Sequence, residues 1–418
     1  MRPSHAPKPT TAPAGPGSGG GLPRGVLALL TCAAFVIFAQ AFMIAPVLPR
    51  LAAAFGSTPG MVGLAVPAYL IPYGVMTLVW GPASDRLGRR PVILASLAAF
   101  TALTAATALA PTAGAFIALR LATAIGASGV VPIALALVGD LVPFAQRGRV
   151  LGWLFGAMAG GIAVGSSAGA LAEPAVGWQG LFLAAAAAGL LLLLAAVRAL
   201  RTLPAPATAA GTARPPVRRV AAGYLALLRL PRGRRTYGYV ALNAVLHSGV
   251  YTWLGLYLER RFDLGSVGIG LALLGYGIPG FLLGPAIGHL ADRYGRARII
   301  PAGVALGATC ALLLAAPLPL AAGVTVVAAL SLGYDMTQPP LGGIVTDLPG
   351  HRGQAMGLNV FTLFTAFGAG SLLFQTALPL GFSTALVLFG LTALAAAALA
   401  VPLFATERPH FGAARRPG

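Results

Sequence analysis

GPASDRLGRRP, residues 81–91, and GHLADRYGR, residues 288–296, are two versions of one pattern. Each lies between two long apolar stretches, and the two are 207 positions apart. The same shift places Gly63 on Gly270, Tyr69 on Tyr276, Pro72 on Pro279, Gly81 on Gly288 and Asp85 on Asp292. It also places Arg86 on Arg293, Gly88 on Gly295, Arg89 on Arg296 and Asp140 on Asp347. Glycine supplies 56 of the 418 residues, so glycine matches alone carry little weight. Only nine residues are acidic, and the coincidence of two pairs of them marks a duplicated chain.

Outward from these loops the chain is mostly oil. It is 57% hydrophobic and 9% charged, against roughly 45–50% and 25% in soluble domains, which excludes a soluble globular fold. Apolar runs of about 20 residues, the length that crosses a 30 Å hydrocarbon layer, fall near 24–47, 60–80, 91–110, 113–138, 150–171 and 180–197. A second six fall near 237–258, 267–290, 299–318, 321–345, 356–378 and 383–404. In lipid an unpaired backbone group costs several kcal/mol, so these runs are expected to be helices, giving an all-α protein with twelve transmembrane segments.

Between the two sets lies an arginine- and proline-rich segment, nine arginines from 198 to 235. The expected organisation is a disordered cytoplasmic tail at 1–22, a six-helix bundle at 23–200, a cytoplasmic linker at 201–235, a second bundle at 236–406 and a tail at 407–418. With both ends inside, all 28 basic residues except Arg50, Arg120, Arg260 and Arg261 fall on the inner side, as the positive-inside rule requires. The formal charge of +19 is then explained by topology and by anionic lipid on the inner leaflet of a plasma (bacterial inner) membrane. No nucleic-acid partner is needed, because the basic residues come in bursts between spans instead of on one polar face.

The duplicated G-x-x-x-D-R-x-G-R pattern resembles the major facilitator superfamily, and the resemblance extends over nearly the whole chain. It implies two pseudo-symmetric six-helix bundles, a small-molecule substrate and alternating access. In that family the loop Asp, the Arg four residues on and an acid ending the fourth span form an ionic network that closes the cytoplasmic side. Asp85, Arg86, Gly88, Arg89 and Asp140, with Asp292, Arg293, Gly295, Arg296 and Asp347, occupy those positions here. Topology alone would need the arginines but not the repeated Asp, so a gate is the favoured reading. Arg120 with Gly126 and Gly129, and the run Gly161, Gly165, Gly169, are similar to stretches of the twelve-span drug/proton antiporters. Thr123 and Ser166 stand there where Gln and Pro are usual. As plain packing, Gly152, Gly156 and Gly160 followed by Gly161, Gly165 and Gly169 form a stripe of small residues for a neighbouring helix.

Polar residues deep in the spans are the candidate transport site. Asp335 lies about ten residues from the inner end of the tenth span, hence roughly 15 Å deep by helical rise. His247 lies at a matching depth in the seventh. Asn243, His247 and Tyr251, spaced by four, make one polar stripe, and the shift of 207 puts His247 on Gln40. Spans one, four, seven and ten line the cavity of the family resembled, which places Gln40, Arg120, Asn243, His247, Tyr251, Asp335 and Gln338 around it. Arg120 comes close enough in depth to pair with Asp335, or it snorkels outward. Asp335 and His247 are the expected proton-coupling groups, and Phe42, Tyr69, Trp253, Tyr276 and Phe364 could wall an amphiphile.

Other classes fare worse. Gly165 to Gly169 fits G-x-S-x-G and Gly126 to Gly129 resembles the G-x-S-G of rhomboid proteases, but the first lacks the strand–turn–helix setting of a nucleophile, so no enzyme is expected. Cys32 and Cys310 lie inside apolar segments, and neither a disulfide, a metal site nor a cofactor is foreseen. No G-x-x-x-x-G-K-[ST] loop is present, so the energy must come from a gradient. The reading is a monomeric, proton-coupled exporter of a small, drug-like amphiphile. Its alternative is proton-linked uptake or export of a sugar or metabolite.

Overall fold

Twelve spans follow one another in the computed structural model, which describes residues 23–142, 144–202, 217–349 and 352–407. The expected tail at 1–22, residues 203–216 of the linker expected at 201–235, and residues 408–418 of the tail expected at 407–418 lie outside these residues. The first span comprises α1 (Arg24–Phe42), a short 3-10 turn and α2 (Leu48–Ala54); the second comprises α3 (Pro59–Gly63) and α4 (Pro67–Leu87). The third is α5 (Arg89–Ala108), and the fourth is split into α6 (Ala113–Ala127) and α7 (Val130–Leu141). The fifth and sixth run through α8 (Phe144–Ala199), which turns back at Gly177 with φ +68°. After a linker helix, α9 (Val217–Arg229), come α10 (Pro231–Phe262), α11 (Ser266–Tyr294) and α12 (Arg296–Ala315). The tenth span is split into α13 (Leu320–Asp335) and α14 (Gln338–Thr346), and α15 (Arg352–Ala377) and α16 (Phe382–Leu403) close the chain. Nine helical stretches among the described residues are long and apolar enough to cross a membrane. One of them, 152–199, holds two spans, and α10 and α11 complete the twelve.

The duplication is visible in the backbone. Gly88 and Gly295 end α4 and α11 with nearly the same angles, φ +94° and ψ 148° against φ +83° and ψ 149°. A side chain is strained there, so the repeated glycine is a backbone requirement. The breaks in spans four and ten also correspond. Ser128, at the end of α6, maps onto Asp335 at the end of α13, and Pro132 maps onto Pro339. Proline lacks the N–H that would continue the ladder and crowds the carbonyl four residues back, so both spans give way at one level.

The two halves meet along two helix pairs, α4 against α15 and α8 against α11. Within the first half, α8 lies on α1 through small residues. A Cβ at Gly161, Gly165 or Gly169 would press on the backbone of Phe35, Ala39 and Met43 respectively. Gly152 and Gly156 meet nothing within 4 Å, whereas Gly160 lies against the Phe35 ring, so the expected stripe holds from Gly160 onward. The D-R-x-G-R loops, the start of α1 and the end of α16 share one face of the bundle, here called the motif end. The turns at Gly56, Gly177, Asp263 and Gly381 mark the far end.

Candidate functional site

At the split in span ten the backbone leaves its helix in the middle of the bundle, where a freed carbonyl must find a new partner. The Thr337 hydroxyl donates to the Tyr334 carbonyl at 2.6 Å and accepts from the Asn243 side-chain amide at 2.5 Å. The break is thereby stitched to α10. Asp335, the last residue of α13, is half-buried and accepts a 3.2 Å hydrogen bond from Ser331 one turn earlier. Among the described residues no cation pairs with it. Gln338 opens α14 with its Nε2 lacking a partner among the described residues.

Arg120 neither reaches Asp335 nor snorkels. It is fully buried inside the first half. One guanidinium nitrogen donates to Gln40 Oε1 at 2.9 Å and the other to the Ala41 carbonyl at 3.0 Å. Its carbon sits 4.1 Å from the centre of the Tyr69 ring, a cation–π contact strengthened by desolvation. The split of span one makes this possible, since the carbonyls of the last turn of α1 have no helical N–H beyond them.

The stripe Asn243, His247, Tyr251 divides. Asn243 turns to Thr337, and His247 stacks face to face on Tyr334 with ring centres 3.9 Å apart. Both line a recess inside the second half, with Gly303, Gly307 and Ala393, of about 370 Å³ counting its open mouth. Tyr251 instead crosses the seam, its ring 6.1 Å from Phe42.

That seam is filled with aromatic rings. Phe38 meets Phe364 at 5.4 Å, Tyr73 meets Phe364 at 5.1 Å and Phe42 meets Phe367 at 6.3 Å, each pair joining the two halves. Tyr69 and Tyr73 stack at 6.0 Å, both are buried, and both hydroxyls lack a hydrogen-bond partner among the described residues. Between Phe38, Phe42, Tyr69, Tyr73 and Phe364 the seam is packed shut, with no space wide enough for a water. Sequence reading named Phe42, Tyr69, Tyr251 and Phe364 but passed over Phe38, Tyr73, Tyr334 and Phe367. The four-residue spacing of Phe38 and Phe42, and of Tyr69 and Tyr73, was the available signal. Trp253 lies nearer the far end, packed on Gly63 of the other half and donating to the Ser371 carbonyl. The side chain of Tyr276 lies outside the described residues.

At the motif end, Arg296 donates to Asp347 Oδ2 at 2.6 Å. Gly343 makes room for it, because a Cβ there would sit 3.0 Å from the guanidinium. In the first copy Arg89 donates to Ser84 at 3.2 Å, while Arg86 and Arg293 are exposed. The side chains of Asp85, Asp140 and Asp292 lie outside the described residues. A further cluster joins the ends of three spans: Arg232 grips both oxygens of Glu407 at 2.8 Å, Arg235 adds a third bond, and the Ala297 N–H donates to the Glu407 carbonyl.

The far end is tied across the halves. Arg50 Nε donates to Ser266 Oγ at 3.2 Å, and Ser266 donates to Glu173 at 2.9 Å. Gln375 donates to the Gly60 carbonyl at 2.8 Å. Of the two serines those motifs point to, Ser128 donates to the Ile125 carbonyl and accepts from Trp80, while Ser167 is buried in α8 with its hydroxyl lacking a hydrogen-bond partner among the described residues.

Comparison with known proteins agrees with this architecture. A family model described as Major Facilitator Superfamily matches residues 30–371 and 266–416. A protein of Bacillus subtilis (strain 168) described as the uncharacterized MFS-type transporter YwfA is 28% identical over 335 residues, 78% of this chain and 79% of its own length. A chloramphenicol resistance protein of Streptomyces lividans is 29% identical over 273 residues, 65% of this chain and 67% of its own. Among solved structures, a bacterial homologue of the human lysosomal transporter Spinster, inward-facing and unoccupied, superposes with a TM-score of 0.72 at 17% identity, covering 94% of this chain and 100% of the other.

Proposed function

The chain belongs to the Major Facilitator Superfamily, and from that premise we propose that it exports a small, aromatic or otherwise amphiphilic compound in exchange for protons. The motif end faces the cytoplasm of a bacterial cell. The observation that carries this reading is the ring-lined seam between the halves. A planar apolar compound could slide between Phe38, Phe42, Tyr73, Phe364 and Phe367 as the halves part, exchanging ring–ring contacts for ring–ligand contacts of similar worth. The orphan hydroxyls of Tyr69 and Tyr73 would then donate to an acceptor on the compound, which a purely apolar wall could not do. Resistance to chloramphenicol, named for one relative, fits a substrate of this kind.

Proton coupling rests on Asp335. A charge in the membrane interior is costly unless hydrated, paired or neutralised, and this carboxyl has one neutral donor, Ser331, and no described cation. It can therefore change protonation without breaking an ion pair, and opening toward either side changes its hydration. Substrate and proton are coupled if they favour different states.

The test is transport by the purified protein in vesicles, with pH and voltage gradients imposed separately and a panel of neutral, cationic and anionic aromatics alongside sugars. An amphiphile should move uphill under a pH gradient. Asp335→Asn should abolish uphill movement while leaving downhill exchange. Uphill transport unchanged in Asp335→Asn removes that carboxyl from coupling, and transport of sugars alone replaces the substrate assignment.

A further inference from the structure

The linker helix α9 has three faces, and among the described residues only one of them is occupied by protein. Leu227 is buried against Tyr237, Val345, Leu348 and Leu358 at the motif end of the second half. Gly223 and Tyr224 flank it, Gly223 resting on Gln354 and the Tyr224 hydroxyl lying beside Gly357. A helix advances about 100° per residue. About 100–160° round from Leu227 come Leu228, Ala221 and Leu225, all exposed, the two leucines by 39% and 48%. Beyond them, at about 180–200°, stand Arg218 and Arg229, also exposed, followed by Ala222, Ala226 and Arg219 on the side that leads back to the protein contact. Around the helix the order is thus protein contact, bare apolar strip, arginine strip.

We propose that this bare strip lies on the bilayer, with Leu225 and Leu228 entering the acyl boundary and Arg218 and Arg229 binding the phosphates of anionic lipids. A helix lying in the interface needs an apolar face a few ångströms deep and cations level with the headgroups. The ends of α10 and α15, against which α9 packs, are themselves span ends, so they hold the helix at that level. Charge complementarity selects the lipid class: the arginines are on the strip's border, and no acidic residue lies anywhere in α9. Because α9 packs on α10 and α15 of the second half, anionic lipid would anchor that half at the motif end.

The test uses the full chain with Cys32→Ser and a polarity-sensitive fluorophore on Leu228→Cys, reconstituted in phosphatidylcholine alone or mixed with phosphatidylglycerol. The proposal expects blue-shifted emission and reduced quenching by neutral acrylamide when phosphatidylglycerol is present, reversed by high salt as surface charge is screened. Each arginine near an anionic surface strengthens attachment about fivefold, so Arg218→Gln/Arg229→Gln should lose the shift and Arg218→Lys/Arg229→Lys should keep it. Emission and quenching identical in the two lipids would overturn the proposal. So would a lipid response that survives the glutamine pair, or shielding in both lipids together with cross-linking between copies, which would assign the strip to a second protein molecule.

Discussion

Arg120 holds a full guanidinium charge in the interior of the first half with only neutral partners among the described residues. Its stability depends on each of them. Gln40→Leu removes the shortest of these bonds, 2.9 Å, and leaves a buried cationic N–H unpaired. The expected loss is about 1.5–3 kcal/mol, read as a lower unfolding temperature in detergent. Gln40→Glu, which supplies a carboxylate at the same place, should not show that loss. Glu407 is the opposite case, an acid with cations in excess. The Arg232 hydrogen bond, followed by the charges of Arg232 and Arg235, holds its carboxyl below the ordinary value of 4.5 against the opposing effect of burial. A group more acidic in the folded than in the unfolded chain adds stability at neutral pH that disappears as pH falls below 4.5 toward the folded value. Glu407→Gln should therefore be less stable than the parent at pH 7, and the two unfolding temperatures should converge on acidification through that range. Asp335 was legible in the sequence because acids are so scarce here that a deep one stands out. The partners of Arg120 were not, since depth along a helix can be counted but rotation about it cannot. The stripe Asn243, His247, Tyr251 keeps one step, His247 and Tyr251 stacking with ring centres 6.1 Å apart, and its ends diverge for a related reason. Four residues turn a helix by about 400°, so each step drifts by about 40°, and two steps carry Asn243 into the second half and Tyr251 onto the seam.

At the scale of elements, the spans and their duplication follow from composition and one repeated motif, and the motif glycines reappear with matching positive φ. The breaks at Ser128 and Asp335 were written in Pro132 and in Pro339–Pro340, but hydropathy averages over them and reads each span as whole. The linker hid a helix for a similar reason: counting its arginines showed topology and masked the apolar periodicity of α9. The far-end tie could not be foreseen, because Arg50, Glu173 and Ser266 belong to three separate turns whose meeting is a property of the packed halves. It makes a clear expectation. Ser266→Ala deletes two hydrogen bonds to charged groups, worth about 1.5–3 kcal/mol each when broken, and so favours the state open at the far end. A cysteine in place of Phe42 should then react faster with a membrane-impermeant thiol reagent applied from that side than it does beside an intact Ser266. Equal rates would show that the tie does not hold the far end closed.

In the whole molecule, the two halves touch through rings at mid-depth, through hydrogen bonds at the far end, and through the helix pairs α4–α15 and α8–α11. The proposed alternating access needs contacts that can be exchanged without disturbing either half, and the described ion pairs satisfy that condition: Arg296–Asp347 and the Glu407 cluster each lie within the second half. If the chain transports as proposed, the seam opens alternately at its two ends. The most direct measurement is a reversible cross-link between cysteines at positions 60 and 375, already joined by a hydrogen bond, in a chain lacking Cys32 and Cys310. Transport should stop when the link is made and return when it is reduced; full transport with the far end locked would show that the seam need not open there.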